Sequence, residues 1–175
     1  VFTEIFAVKA IEMIMNGYMA ILEKGEEYRF ELLEDFAIAS NFAGIAFGNT
    51  GVGAVHAMSY PLGGTYHVPH GEANYQFFTE VFKTYNKKNP DGKIKEINQI
   101  LARILKIDAD ADVYDELEKV LNQLLVKKPL REFGMKEEEI ELFTDSVIEK
   151  QQRLLVNNYV PLTREDMLAI YRALY

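Results

Sequence analysis

GNTGVGAVHAMSYPLGGTYHVPHGEAN, Gly48–Asn74, is the stretch on which the fold turns. Its Gly51-Val52-Gly53 opens either a phosphate-binding turn of an α/β nucleotide domain or a turn between helices. A dinucleotide turn needs a preceding strand and a third glycine at G-x-G-x-x-G spacing, so that backbone N–H groups approach a pyrophosphate at a helix start. Neither the third glycine nor a β-rich run is present. The pair therefore reads as a turn between helices. Downstream of it, VHAMSY predicts a short helix that Pro61 and Gly63-Gly64 bring to a close. His56 and Tyr60, four apart, share a face of that helix. Pro69 then precedes GEANYQFFTEVFKTYNKK, with His70 at the helix entrance and NPDG, Asn89–Gly92, as the closing turn.

Working outward, helical periodicity fills the remaining chain. Ile5, Val8, Ile11, Met15, Tyr18, Met19 and Leu22 recur at three- and four-residue steps and predict a first helix ending near Gly25. A second helical run is expected from Glu26 to Phe47, carrying Phe30, Leu33, Phe36, Ala37 and Ser40, then small residues that permit close packing. KIKEINQILARIL, DVYDELEKVLNQLLVKK, KEEEIELFTDSVIEKQQRLL and REDMLAIYRALY follow the same period. Short loops at Asp108–Asp112, Lys128–Gly134 and Asn157–Thr163 separate them, and Thr163 with Asp166 forms a capping box variant for the last helix. No run shows convincing period-two alternation. The expected fold class is all-α, a multi-helix bundle of about seven to nine helices in one domain, 1–175.

The formal charge of −8 argues against a nucleic-acid partner, since phosphate binding needs clustered Lys and Arg. The chain has no cysteine, so no disulfide holds it, which favours a cytoplasmic setting. Glu4, Lys9 and Glu12 interrupt the apolar opening segment, which reads as a core-facing helix and not a membrane span. The chain begins at Val1 inside a helical pattern with no N-cap residue, as a piece of a longer protein would.

All three histidines, His56, His67 and His70, fall in one Gly- and Pro-rich stretch. Imidazole is a good ligand for Fe²⁺ and Zn²⁺, and tight turns can bring distant rings together. Spacing alone leaves a metal site and a structural cluster both open.

His56-Ala57-Met58, Leu62-Gly63-Gly64 and Pro69-His70-Gly71-Glu72-Ala73-Asn74 together resemble the metal-binding segment of the iron-containing alcohol dehydrogenases. The likeness extends along the chain, through AGIAFGNTGVGAVHAMSYPLGG, YHVPHGEANYQFFTEVFKTY, KPLREFGMKEEEIE and QQRLLVNNYVPLTREDM. It implies a fold like the C-terminal helical domain of that family, with His56 and His70 as ligands of a catalytic Fe²⁺ (or Zn²⁺). His67 falls on no ligand position and is left structural or supporting. Phe47 falls where the family often has an aromatic lining the substrate pocket. Tyr60 stands where many members carry a histidine near the nicotinamide, and is assigned a catalytic and cofactor-facing role. Asn158-Tyr159-Val160 stands in place of an Asn-Pro-Arg.

The family's remaining ligands, an aspartate and a first histidine in an Asp-x-x-x-His motif, do not occur in this sequence, and neither does the nucleotide-binding half. The resemblance thus implies a C-terminal metal-binding and catalytic domain, 1–175, whose N-terminal nucleotide-binding domain lies outside this chain and binds most of the NAD. The implied reaction interconverts 4-hydroxybutyrate and succinate semialdehyde. The alternatives are another primary alcohol or a diol or, for the chain alone, a non-catalytic helical module. The implied partners are a small-molecule substrate and further copies of the chain in a homo-oligomer, with no nucleic acid and no membrane. A four-carbon acid also requires an Arg or Lys for its far carboxylate, and the sequence singles out none.

Overall fold

The computed structural model describes residues 2–108 and 111–175. Val1, and residues 109 and 110 of the expected loop at Asp108–Asp112, lie outside the described residues. Among those described, the regular elements are all helical: α1 (Phe2–Lys24), α2 (Leu33–Thr50), α3 (Ala54–Tyr66), α4 (His70–Lys88), α5 (Lys93–Leu105), α6 (Val113–Leu124), α7 (Glu139–Lys150), α8 (Gln152–Leu155) and α9 (Arg164–Leu174). Two 3₁₀ turns, Glu26–Phe30 and Leu130–Phe133, complete the set. The chain divides into two compact units, Val1–Gly51 with Asp91–Leu125 and Val52–Pro90 with Val126–Tyr175.

In the first unit α1 packs along α2, and α5 and α6 pack on α1. The approach of α1 to α2 is close because Gly17 lacks a side chain, for a Cβ there would stand 2.8 Å from the Phe36 ring. By length and composition alone α1 is apolar enough to cross a membrane. Here it turns Ala10, Met15, Gly17 and Ile21 inward, and Arg103 and Lys93 of α5 pair with its Glu12 and Glu4. The helical run expected from Glu26 to Phe47 is not one helix. Gly25, at φ 99°, redirects the chain into a 3₁₀ turn whose Arg29 pairs with Glu26 three residues back, the spacing at which 3₁₀ side chains eclipse. The α-helix proper starts at Leu33 and runs on through Gly48 to Thr50, where Gly51, at φ 77°, ends it.

The second unit is built around α3, α4, α7 and α9. Met58, Leu62, Phe77, Val81, Val147, Met167, Ile170 and Tyr171 are buried together. The expected closure of α3 at Pro61 is corrected by the structure: the helix continues through Pro61 and both glycines to Tyr66. Pro61 has no N–H for the Ala57 carbonyl and disfavours the turn before it. Burial of Ala57, Met58, Ser59 and Leu62 on one side of α3 outweighs this, and the Tyr171 hydroxyl donates to the Met58 carbonyl at 2.6 Å within the disturbed turn. The segment expected as one helix from Lys136 breaks at Gln151, whose carbonyl accepts from both Leu154 and Leu155 N–H to start α8. After Leu124 the chain extends instead of remaining helical to Lys128. This lets the Lys128 N–H meet Gln76 Oε1 (3.0 Å) and the Lys127 ammonium meet Thr79 Oγ1 (2.9 Å), satisfying two buried polar side chains of α4.

The capping box of α9 is formed as expected: Thr163 Oγ1 accepts from Asp166 N–H and the Asp166 carboxylate accepts from Thr163 N–H, while also pairing with Lys88. Thr163→Ala is therefore expected to cost about 1 kcal/mol, seen as a lower denaturation midpoint. An unchanged midpoint would show that α9 is held by its packed face alone.

Candidate metal centre

His56 lies in the first turn of α3, and His70 is the first residue of α4. Two local features turn the chain between them. His67 caps α3 in the left-handed region, at φ 56°, which histidine tolerates better than most side chains, and Pro69 caps the start of α4. The result brings the His56 and His70 rings to a centroid distance of 5.2 Å, tilted by 52°. Tyr60, one turn beyond His56 as its spacing requires, reaches to 6.2 Å from the His70 ring. His56 is half-buried and His70 exposed, so the pair is backed by protein on one side and open on the other. Burial, and then the neighbouring His70, hold the His56 imidazole below its usual pKa. It is therefore neutral near pH 7, the form whose lone pair can ligate a cation.

Two polar side chains support the pair. The Asn74 side-chain amide lies 3.0 Å from Nε2 of His70, within hydrogen-bond distance. Ser59, almost fully buried, places its hydroxyl 2.6 Å from Asn74 Oδ1 and 3.0 Å from the His56 carbonyl. A hydrogen-bonded chain thus joins the backbone of one histidine to the ring of the other. Sequence reasoning quoted Asn74 within the motif but gave it no role, and passed over Ser59. The available signal was spacing: Asn74 is four residues after His70 and Ser59 three after His56, each on its histidine's face.

The donor set fits a borderline divalent cation in kind, two imidazoles with at least one held neutral. In number it is incomplete. Among the described residues no group of three or more His, Cys, Asp and Glu side chains is placed to hold a metal. Phe47 belongs to the other unit, where it is 53% exposed on α2. It lines an open depression with Ala37, Ser40, Asn41, Gly44 and Ile45, and so is not a core residue of that unit.

Residues 1–175 match the family described as Fe-containing alcohol dehydrogenase family, C-terminal. The chain is 66% identical over 99% of its length to 4-hydroxybutyrate dehydrogenase of Clostridium kluyveri, of which it covers 47%. It is 32% identical over 97% of its length to long-chain-alcohol dehydrogenase 1 of Geobacillus thermodenitrificans, covering 43%. Among solved structures, an archaeal halo-thermophilic alcohol dehydrogenase from a Red Sea brine pool superimposes with a TM-score of 0.80 at 27% identity, over 99% of this chain and 44% of that one. A 1,3-propanediol oxidoreductase superimposes with a TM-score of 0.76 at 26% identity, over 99% and 45%. The chain spans about half the length of the relatives it matches. With the family matched along its whole length and the same helical fold in solved members, this chain belongs to the iron-containing alcohol dehydrogenases, as their C-terminal part.

Proposed function

We propose that this chain is the metal-binding part of an NAD-dependent enzyme that interconverts 4-hydroxybutyrate and succinate semialdehyde, with Fe²⁺ or Zn²⁺ as its metal. The observation that carries the reading is the meeting of His56 and His70 at 5.2 Å in a chain 66% identical to a 4-hydroxybutyrate dehydrogenase. His56 and His70 hold the cation, and Ser59 and Asn74 keep the His70 ring in place. A divalent cation supplies Lewis acidity toward the alcohol oxygen and, in reverse, toward the aldehyde carbonyl. Tyr60, beside His70, lines the nicotinamide or substrate side. The rest of the parent protein provides the remaining ligands and most of the NAD site. Protein metal sites commonly supply three or four groups, so the chain alone is expected to be inactive. A cytoplasmic location belongs to the same reading, supported by the cysteine-free sequence.

Steady-state NAD reduction by the full-length enzyme tests the substrate. A site built to pair a carboxylate rejects an alcohol lacking one, because its buried cation is then left unpaired. The expected kcat/KM for 4-hydroxybutyrate exceeds that for 1-butanol and 1,3-propanediol by about 100-fold or more. Equal values for the uncharged alcohols would move the activity to another substrate of the family.

A further inference from the structure

The start of α3 has no cap of its own. Its N-cap residue is Gly53, which has no side chain to receive the orphan N–H groups of the first turn. The missing acceptor comes from a loop more than a hundred residues later. Asn158 Oδ1 accepts from the Ala54 N–H at 2.7 Å and from the Tyr85 hydroxyl at 2.8 Å. Its neighbours grip the same region: Asn157 Nδ2 donates to the Val52 carbonyl at 3.1 Å, and the Tyr159 hydroxyl donates to the Asn89 carbonyl at 2.9 Å. Three consecutive side chains therefore tie one loop to the beginning of α3 and the end of α4. Gly53 is matched to this arrangement, since a Cβ there would stand 2.8 Å from Asn158 Oδ1. Tyr85 is buried, and burial pushes its hydroxyl pKa up to about 12, so it remains a donor at any working pH.

His56 is two residues beyond the N–H that Asn158 captures. An uncapped helix end frays over its first turn, and the first turn of α3 is the segment that carries His56. We propose that Asn158 is a positioning residue for His56: its amide oxygen, oriented by Tyr85, closes the first turn of α3 and so fixes the imidazole. The proposal rests on His56 being a metal ligand. It gives a physical role to a loop whose sequence departs from the family's Asn-Pro-Arg, for Tyr159, in place of proline, is itself one of the three tethers.

The test uses the full-length enzyme loaded with Co²⁺ alone, whose visible absorption reports ligand geometry. Outer-shell partners of ligating histidines cost about 10–100-fold in metal affinity when removed. Asn158→Ala is expected to weaken Co²⁺ binding by about 10-fold and to alter the visible spectrum of the metal that still binds. Asn158→Asp keeps the acceptor oxygen and sets a negative charge at the positive helix end. It is expected to restore both affinity and spectrum to near the parent's. Wild-type affinity and spectrum in Asn158→Ala, or an Asn158→Asp protein as impaired as the alanine variant, would overturn the proposal. A role in stability alone would lower the unfolding temperature and leave the spectrum untouched, which also counts against it. If Asn158→Ala does not fold, Tyr85→Phe serves instead, with an expected loss of about threefold for the deleted orienting hydrogen bond. No change there overturns the proposal equally. His56→Ala separates the two levels: if it keeps Co²⁺ with unchanged affinity and spectrum, the ligand assignment fails. If it loses Co²⁺ while Asn158→Ala does not, the positioning role alone fails.

Discussion

His70→Ala in the full-length enzyme is expected to leave it without its metal after purification and without measurable alcohol oxidation, and His56→Ala is expected to do the same. Removing a direct ligand takes away a metal–nitrogen bond, so the loss should exceed the roughly 10–100-fold that an outer-shell change costs. The two variants should differ in how they are rescued. In this chain His70 is exposed whereas His56, in the first turn of α3, is half-buried, so the alanine at position 70 leaves the more accessible gap. Added imidazole should therefore return metal and part of the activity to His70→Ala and do little for His56→Ala. Metal analysis beside NAD reduction reads both effects. Full metal occupancy in either alanine variant would refute the ligand assignment for that residue. Loss of activity with metal retained would give the histidine some other role.

The helical class was legible because apolar steps of three and four recur in every segment, from Ile5–Leu22 in α1 to Met167–Leu174 in α9. Local chemistry also marked some ends correctly, such as Gly25, NPDG and the Thr163–Asp166 box. Where local rules misled, tertiary contacts had overruled them. Proline at position 61 argues for a stop, yet α3 continues because its buried side compensates, while the Tyr171 hydroxyl holds the same turn through the Met58 carbonyl, and neither lies within reach of a local window. The reverse happened after Leu124, where a helical pattern gives way to an extended chain whose Lys128 N–H and Lys127 ammonium meet Gln76 and Thr79 of α4. The site divides similarly. His56 and His70 stood out through their motif and Tyr60 through its spacing, and the structure brings these three rings together. Asn158 carried no such sign, since its partners Ala54 and Tyr85 lie far away in sequence.

Tyr171 is where the largest loss of stability is expected from a residue outside the histidine pair. It is fully buried, its ring meets Phe77 edge-on at 5.3 Å and Phe143 at 6.3 Å, and burial pushes its hydroxyl pKa well above the usual range. The hydroxyl donates to the Met58 carbonyl, three residues before Pro61 and two after His56. Two substitutions separate the ring from the hydroxyl. Tyr171→Phe keeps the packing and deletes the hydroxyl's hydrogen bond to the Met58 carbonyl, at an expected cost of about 0.5–1.5 kcal/mol. Tyr171→Ala also opens a cavity between α9 and α4, and by analogy with other aromatic truncations the cost should rise to about 3–5 kcal/mol. Denaturant titration followed by far-ultraviolet circular dichroism measures both. If Tyr171→Phe unfolds at the parent's midpoint, the Met58 carbonyl finds another donor and the proline-bearing turn does not depend on α9. If the phenylalanine and alanine variants lose equally, the hydrogen bond, not the aromatic packing, joins α9 to α3. The intermediate order, phenylalanine mild and alanine severe, is the expected one. It would mean that the helix presenting His56 is held by an aromatic core beneath and a hydrogen bond at its weakest turn.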